Sequence, residues 1–280
     1  TPKGQNQFYE MYQHAEKSDG WYSCIYRADE TGVLPPEELK DMQAQMTEME
    51  IRQELLCDFT ASASDVVIPI DLVTAAANRL LKDDDVLGQP VILGVDVARF
   101  GDDRTVLCIR QGLWLKEVRT FQGLSTMETA SRVIDCINQH HPHATFIDAG
   151  AMGAGVIDRL RQLRYQVSEV NFGEMAMDAQ RYANIRAEMY FKCRAWLEAG
   201  GAIPQNAELK AELSTVEYKF NPTGRIILEP KDKLKERTGK SPDLADGFVL
   251  TFARPVYINP SAGGMGDDAA GAEYDPFADM

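Results

Sequence analysis

Four aspartates stand where they could do metal-assisted chemistry: Asp96, Asp148, Asp243 and Asp246. Asp96 follows an apolar run, Val91 to Val95, and precedes a small-residue turn and a second apolar run, Thr105 to Ile109. Val91, Ile92, Leu93, Val95 and Val97 are strand formers without clear alternation, the mark of a strand buried on both faces. A carboxylate within such a strand is costly unless something compensates it. A bound divalent cation is one compensation, and the backbone amides of the Ala98–Asp103 turn are another. Asp148 closes a short apolar run, Ala144 to Asp148, before the glycine-rich stretch Ala149 to Gly155. Asp243 and Asp246 lie three apart in Ser241-Pro242-Asp243-Leu244-Ala245-Asp246 and share one face of a helix that Ser241 or Asp243 could cap.

Clustered carboxylates repel one another unless cations hold them. An oxygen-rich, histidine-poor set favours Mg²⁺ or Mn²⁺ over Zn²⁺. Two such ions about 3.5–4 Å apart could activate a water and stabilise the leaving oxygen of a phosphodiester. Each acid also has a plainer role open to it. Asp148 could cap the glycine-rich turn, Asp243 could be an N-cap only, and Asp246 a surface acid. Asp102 and Asp103 read as exposed turn residues. The run Lys231, Lys233, Lys235, Arg237 and Lys240 is the densest positive segment and directly precedes the acidic helix. It could contact phosphate, which would make affinity salt-dependent, or it could be a solvated loop. His140, His141 and His143 sit at a helix end, where histidines suit the negative pole, and do not read as metal ligands.

These residues need a scaffold. Val91–Val97, Thr105–Ile109 and Leu113–Phe121 read as three strands joined by short turns, a meander. Thr126–Gln139 is helical, Ala144–Asp148 a fourth strand, Val156–Leu163 a helix and Val167–Phe172 a fifth strand. Arg181–Ala199 and Ala207–Thr215 follow as helices, and Arg186 on the first of them reads as surface. A hairpin spans Val216 to Leu228 around Asn221-Pro222-Thr223-Gly224, and Leu244–Ala253 is a last helix. In a sheet ordered 3-2-1-4-5 the first and fourth strands are neighbours. Asp96 and Asp148 would then sit side by side under the last helix. Before this region, Gln5–Lys17 reads as a helix, Trp21–Tyr26 as a strand, Pro35-Pro36-Glu37-Glu38 as a helix start, and Thr47-x-x-Glu50 as a capping box.

The chain has 280 residues, enough for one large domain or two modest ones, and opens at Thr1 without a Met, as a fragment would. No apolar run approaches the roughly 20 residues of a membrane span. Five widely spaced cysteines form no CxxC pair, which indicates neither a zinc site nor a disulfide framework and suits a reducing compartment. A net charge of −14 argues against polyanion binding by the bulk surface, but leaves room for one basic face.

At these residues the chain resembles the large subunit of the DNA-packaging terminase of tailed bacteriophages. Gly94-Val95-Asp96-Val97-Ala98, Phe146-Ile147-Asp148 and Ser241-Pro242-Asp243-Leu244-Ala245-Asp246 look like the three acidic motifs of its nuclease. Thr1-Pro2-Lys3-Gly4-Gln5-Asn6-Gln7-Phe8-Tyr9 resembles the coupling motif at the end of the packaging ATPase, and Arg52 to Phe59 the segment leading into the nuclease. Tyr182-Ala183-Asn184-Ile185-Arg186-Ala187-Glu188 and Ile227-Leu228-Glu229-Pro230-Lys231 are family-like as well.

The resemblance implies an α/β, RNase H-like mixed five-stranded sheet, with three antiparallel strands and then parallel ones, flanked by helices. Residues 1–60 would be the end of the ATPase domain, 61–89 a linker, 90–255 the nuclease and 256–280 a flexible acidic tail. The implied activity is two-metal endonucleolytic cutting of concatemeric double-stranded DNA, with two Mg²⁺ or Mn²⁺ ions held by Asp96, Asp148, Asp243 and Asp246. Lys231, Lys233 and Lys240 would contact DNA. The implied partners are the small terminase subunit, the portal protein, the procapsid and the ATPase domain of the same protein, in the host cytoplasm and away from membrane. No phosphate-binding loop of an ATPase is present, so no ATPase activity is expected. Two other readings remain open: an ATP-binding domain of the actin and sugar-kinase type, with Gly150–Gly155 cradling phosphate, and a non-catalytic portal-docking domain.

Overall fold

The structure is a computed structural model and describes residues 7–46, 50–58, 66–98, 104–150 and 152–258. Thr1–Asn6, Thr47 of the capping box, Asp102, Asp103 and the tail from residue 259 lie outside the described residues. No helix among those described is long and apolar enough to cross a membrane.

The chain divides into two units, Thr1–Asp65 and Val66–Met280. The first contains α1 (Gln7–Glu16), α2 (Ala28–Thr31), α3 (Pro36–Ala44) and a π-helical turn (Ile51–Leu55). Trp21–Tyr26, expected as a strand, is not one. Its alternation reflects no buried face, for Trp21, Tyr22 and Tyr26 are all exposed.

The second unit begins earlier than a linker at 61–89 allows. Val67 and Ile68 are fully buried, and Val67 N–H donates to Val216 O at 2.8 Å. Helix α4 (Ile70–Ala77) buries Val73, Ala76 and Ala77, and Arg79 Nη1 donates to Leu197 O and Gly201 O at 2.8 and 2.7 Å. Buried apolar side chains and long-range hydrogen bonds make this segment part of the domain.

The sheet contains β1 (Val91–Asp96), β2 (Thr105–Gln111), β3 (Trp114–Phe121), β4 (Ala144–Asp148) and β5 (Ser168–Val170), in the order β3-β2-β1-β4-β5. The first three strands are antiparallel. The β1–β4 and β4–β5 pairs are parallel and need the crossover helices α5 (Thr126–His140) and α6 (Gly153–Gln162). Helix α5 opens on a capping box, in which Ser125 Oγ accepts from Glu128 N and Glu128 Oε2 accepts from Ser125 N. Helix α6 starts three residues before the expected Val156 and absorbs the second half of the glycine-rich turn. Gly153 permits this, because a Cβ there would collide with the backbone of Asp148.

Alternation along each strand gives the sheet two unlike faces. Leu93, Val95, Leu107, Ile109 and Ile147 point to α5 and α6, where Ala130, Val133, Cys136, Val156, Ile157 and Leu160 complete an apolar core. The neighbouring positions Gly94, Asp96, Val106, Phe146 and Asp148 turn to the other face.

That second face is covered by later helices. Helix α7 (Ile185–Glu198) is followed by α8 (Ala207–Leu213), the hairpin β6 (Tyr218–Phe220) and β7 (Ile226–Leu228), α9 (Lys231–Thr238), and α10 (Asp243–Val249), which continues as a 3₁₀ turn through Phe252. Helix α7 starts at Ile185, not Arg181, because Asn184 caps it and Ala183 N–H is taken by Ile226 O. The basic segment forms helix α9, anchored by the buried Leu234, where a loop was the plainer expectation. Helix α10 lies directly on β1 and β2. A Cβ on Gly94 would fall inside the carbonyl oxygen of Gly247, and one on Gly247 would come within 2.9 Å of Val106 Cγ1. Two missing side chains therefore bring the acidic helix down onto the acidic strand.

Candidate active site

Parallel register matches Ile92 with Ala144 through Val95 with Ile147, so Asp96 and Asp148 are level on adjacent strands. Helix α10 brings Asp243 and Asp246 over the same face. Asp96, Asp243 and Asp246 are 7, 7 and 1% exposed, while Asp148 is half-buried at the mouth. Burial pushes the Asp96 carboxyl well up, against the pull of Lys231, with Asp246, Asp148 and Asp243 adding repulsion. Burial likewise raises Asp148, opposed by Lys231 and by the Gly150 amide, which donates to Asp148 Oδ1 at 3.3 Å. The plainer capping role of Asp148 is thus present alongside its place in the cluster.

Asp246 behaves oppositely. Its burial would raise it, but Lys231 and Arg186 outweigh burial and hold it below the usual carboxylate range. Lys231 Nζ lies 2.6 Å from Asp246 Oδ2, a close ion pair. Tyr190 Oη donates to Oδ1 at 2.8 Å, and Arg186 Nε is 3.5 Å from the same oxygen. Asp243 is held separately, its Oδ2 accepting from the backbone N–H of Arg104 at 2.8 Å. Neither Ser241 nor Asp243 caps α10. Pro242 occupies the cap position without a side-chain bond, and Asp243 is already the first helical residue.

The basic residues separate. Lys231 turns inward, over the Phe172 ring at 4.6 Å and against Asp246. Lys233 is exposed. Lys240, also exposed, pairs with Glu208 at 3.3 Å and lines a cavity of about 350 Å³ with Arg104, Lys235 and Asp243. Arg237 pairs with Glu229 and Glu217. The histidines serve the scaffold: His140 faces Glu117 at 3.0 Å, and His143 Nδ1 accepts from Val91 N at 3.1 Å.

Sequence reasoning missed four neighbours of the acids. Arg186 was expected at the surface, but it is buried, donates to Glu229 O at 3.1 Å and lies over the Tyr190 ring. Helix α7 is covered on most of its circumference, so no polar face distinguished Arg186 or Tyr190. Arg104 and Glu212 lie 108 positions apart and carried no local signal.

The donor set suits a hard divalent cation. It is all carboxylate oxygen, and it already draws the Lys231 ammonium inward against Asp246 Oδ2. Among the described residues, however, no three of these side chains converge closely enough to grip an ion as they stand.

No protein-family model and no curated protein sequence matches the chain. Solved structures do. The nuclease domain of the large terminase subunit gp2 of bacterial virus Sf6 is similar at a TM-score of 0.57 and 19% identity, over 66% of this chain and 97% of that one. A point mutant of that Sf6 domain with calcium matches at a TM-score of 0.57 and 18% identity, over 66% and 98% of the two chains. The mutant domain with manganese matches at 0.56 and 18%, over the same shares. Sheet order, strand directions and flanking helices agree with that likeness, and the chain has the RNase H-like fold of a bacteriophage large-terminase nuclease domain.

Proposed function

We propose that this chain is the metal-dependent DNA endonuclease of a viral genome-packaging terminase, cutting concatemeric double-stranded DNA at the start and end of packaging. The observation that carries this reading is the pairing of level strand acids, Asp96 and Asp148, with the helix acids Asp246 and Asp243 brought onto the same face. The fold it shares with the Sf6 nuclease domain, solved with calcium and with manganese, supports it. Among the described residues one five-stranded sheet and one two-stranded hairpin are present, and the helix carrying Asp243 and Asp246 packs on the acidic strand, a placement that the kinase-like reading gives no role.

Asp96, Asp148, Asp246 and Asp243 are the proposed holders of two Mg²⁺ or Mn²⁺ ions. When bound, such ions supply Lewis acidity to the scissile phosphate and lower the pKa of an attacking water. The chain's own residues do the rest. Tyr190 and Arg186 fix the Asp246 carboxylate, and Lys231 balances charge among the acids. Lys233 and Lys240 present positive charge to backbone phosphates, alongside Lys231. Residues 1–60 are read as the end of the packaging ATPase, and the partners as the rest of that ATPase, the small terminase subunit, the portal and the procapsid.

The test is digestion of supercoiled plasmid with Mg²⁺, with Mn²⁺ and with EDTA, alongside Asp96→Asn. Cutting that needs the metal and disappears in the variant is expected. Equal cutting in EDTA, or by Asp96→Asn, would overturn the reading.

A further inference from the structure

Helix α10 has no cap of its own, yet one of its first free amides is satisfied from elsewhere. Glu212 Oε2, on α8, accepts from Ala245 N at 2.9 Å. The other oxygen of Glu212 takes Arg104 Nη2 at 3.3 Å, and Arg104 Nη1 donates to Glu208 Oε2 at 2.7 Å. Arg104 stands just before β2, and its backbone N–H is the donor to Asp243 Oδ2, with Nε 3.9 Å from the same oxygen. One residue thus ties α8 at its side-chain end to Asp243 at its backbone end, while Glu212 ties α8 to the first turn of α10.

Stability does not explain the carboxylate. Glu212 is only 11% exposed, and burial pushes it up to about 7, so its ionised form costs the fold rather than supporting it. A glutamine oxygen would still accept from Ala245 N, as a neutral and weaker acceptor. What only the carboxylate provides is a charged anchor for the Arg104 guanidinium. Asp246 is held by a different set, Tyr190, Arg186 and Lys231, so the two helix acids are aimed independently.

We propose that Arg104 and Glu212 are positioning residues that aim Asp243 at the metal site, a role that rests on the nuclease reading above. Arg104→Ala keeps the backbone N–H that donates to Asp243 and removes only the side-chain tether that fixes its position, so its effect lies at the low end of the about 10–100-fold that direct loss of an outer partner costs in metal binding. Mn²⁺ binding by titration calorimetry, thermal melting and plasmid-cutting kinetics are measured on the whole chain. The proteins are wild type, Asp243→Ala, Arg104→Ala, Glu212→Ala and Glu212→Gln. Arg104→Ala and Glu212→Ala should each weaken Mn²⁺ binding by about tenfold and lower kcat, leaving KM for DNA in place. Glu212→Gln, which keeps the bond to Ala245 N but not the charged anchor, should melt at or above wild type yet share part of the Mn²⁺ defect.

A wild type that binds no Mn²⁺ overturns the nuclease reading itself. A wild type that binds, with both alanine variants within about twofold of it, overturns the positioning role alone, as does an Asp243→Ala protein with unchanged binding. A Mn²⁺ defect that tracks only the loss of melting temperature, and that Glu212→Gln does not share, marks a structural role and also overturns it.

Discussion

Gly94→Ala tests whether the close seat of α10 on β1 makes the site. An alanine Cβ would lie 3.0 Å from Thr251 Cγ2, 3.2 Å from Leu250 Cβ and inside the carbonyl oxygen of Gly247. Comfortable carbon contacts need about 3.5–4.0 Å, so the helix must retreat by about 0.5–1 Å. The obstacle is helix backbone on one side and sheet backbone on the other, and neither can rotate away. Overpacking of this kind costs about 1–3 kcal/mol, and the rigid neighbours place the substitution at the upper end. The larger effect falls on geometry. Asp243 and Asp246 ride on α10 while Asp96 and Asp148 stay with the sheet, and a misplacement of about 1 Å costs about a hundredfold in rate. Urea unfolding should show a midpoint about 1 M lower, given a slope of about 1–3 kcal/mol per molar. Plasmid cutting should fall far more than the folded fraction does. A Gly94→Ala protein with wild-type midpoint and wild-type cutting would refute the reasoning.

Two further outcomes follow from the carboxylate environments. Glu212 is raised from 4.5 to about 7, so the folded protein holds its proton more tightly than the unfolded chain. The resulting stability is full below pH 4.5 and is lost as pH rises through about 7, at most about 3 kcal/mol. Glu212→Gln should remove that part of the slope, so urea midpoints of wild type and variant diverge between about pH 4.5 and 7, and parallel curves would count against it. Tyr190→Phe removes the 2.8 Å hydroxyl bond to the buried Asp246 carboxylate, and should cost about 1.5–3 kcal/mol and raise the Asp246 pKa. An unchanged unfolding midpoint at neutral pH would show that the bond carries nothing.

The fold was legible where local signals were strong. Short turns between three apolar runs, then alternating helices and strands, lead to the observed sheet order, because parallel neighbours need crossovers and antiparallel ones do not. Helix α5 begins at the expected Thr126 and runs one residue past the expected Gln139, to His140. Helix α9 escaped because seven of its eight residues are polar and Leu234 alone is buried, which leaves no apolar stripe to read. Trp21–Tyr26 alternates without a face to bury, so alternation misled. Asp96 and Asp148 drew notice because each ends a strand, and Asp243 and Asp246 because they share the first turn of one helix. Their partners could not. Arg186 and Tyr190 lie on a helix buried nearly all round, and Arg104 finds Glu208 and Glu212 more than a hundred residues away. Such pairings belong to tertiary structure, and no spacing rule reaches them.

Adjacent positions of β1 live in unrelated surroundings, and this sets how the gene can drift. Codons 93 and 95 answer only to the packing of an oily layer, where Leu, Ile, Val and Met exchange at modest cost provided volume is kept. Codons 94 and 96 answer to a close approach of two backbones and to a charge, and admit almost no alternative. Variants accumulating at positions 93 and 95 can widen the stability margin that the buried carboxylate at position 96 consumes. A library meant to make this protein hardier without dulling it would therefore be split by parity along the strand, randomised on one set and silent on the other.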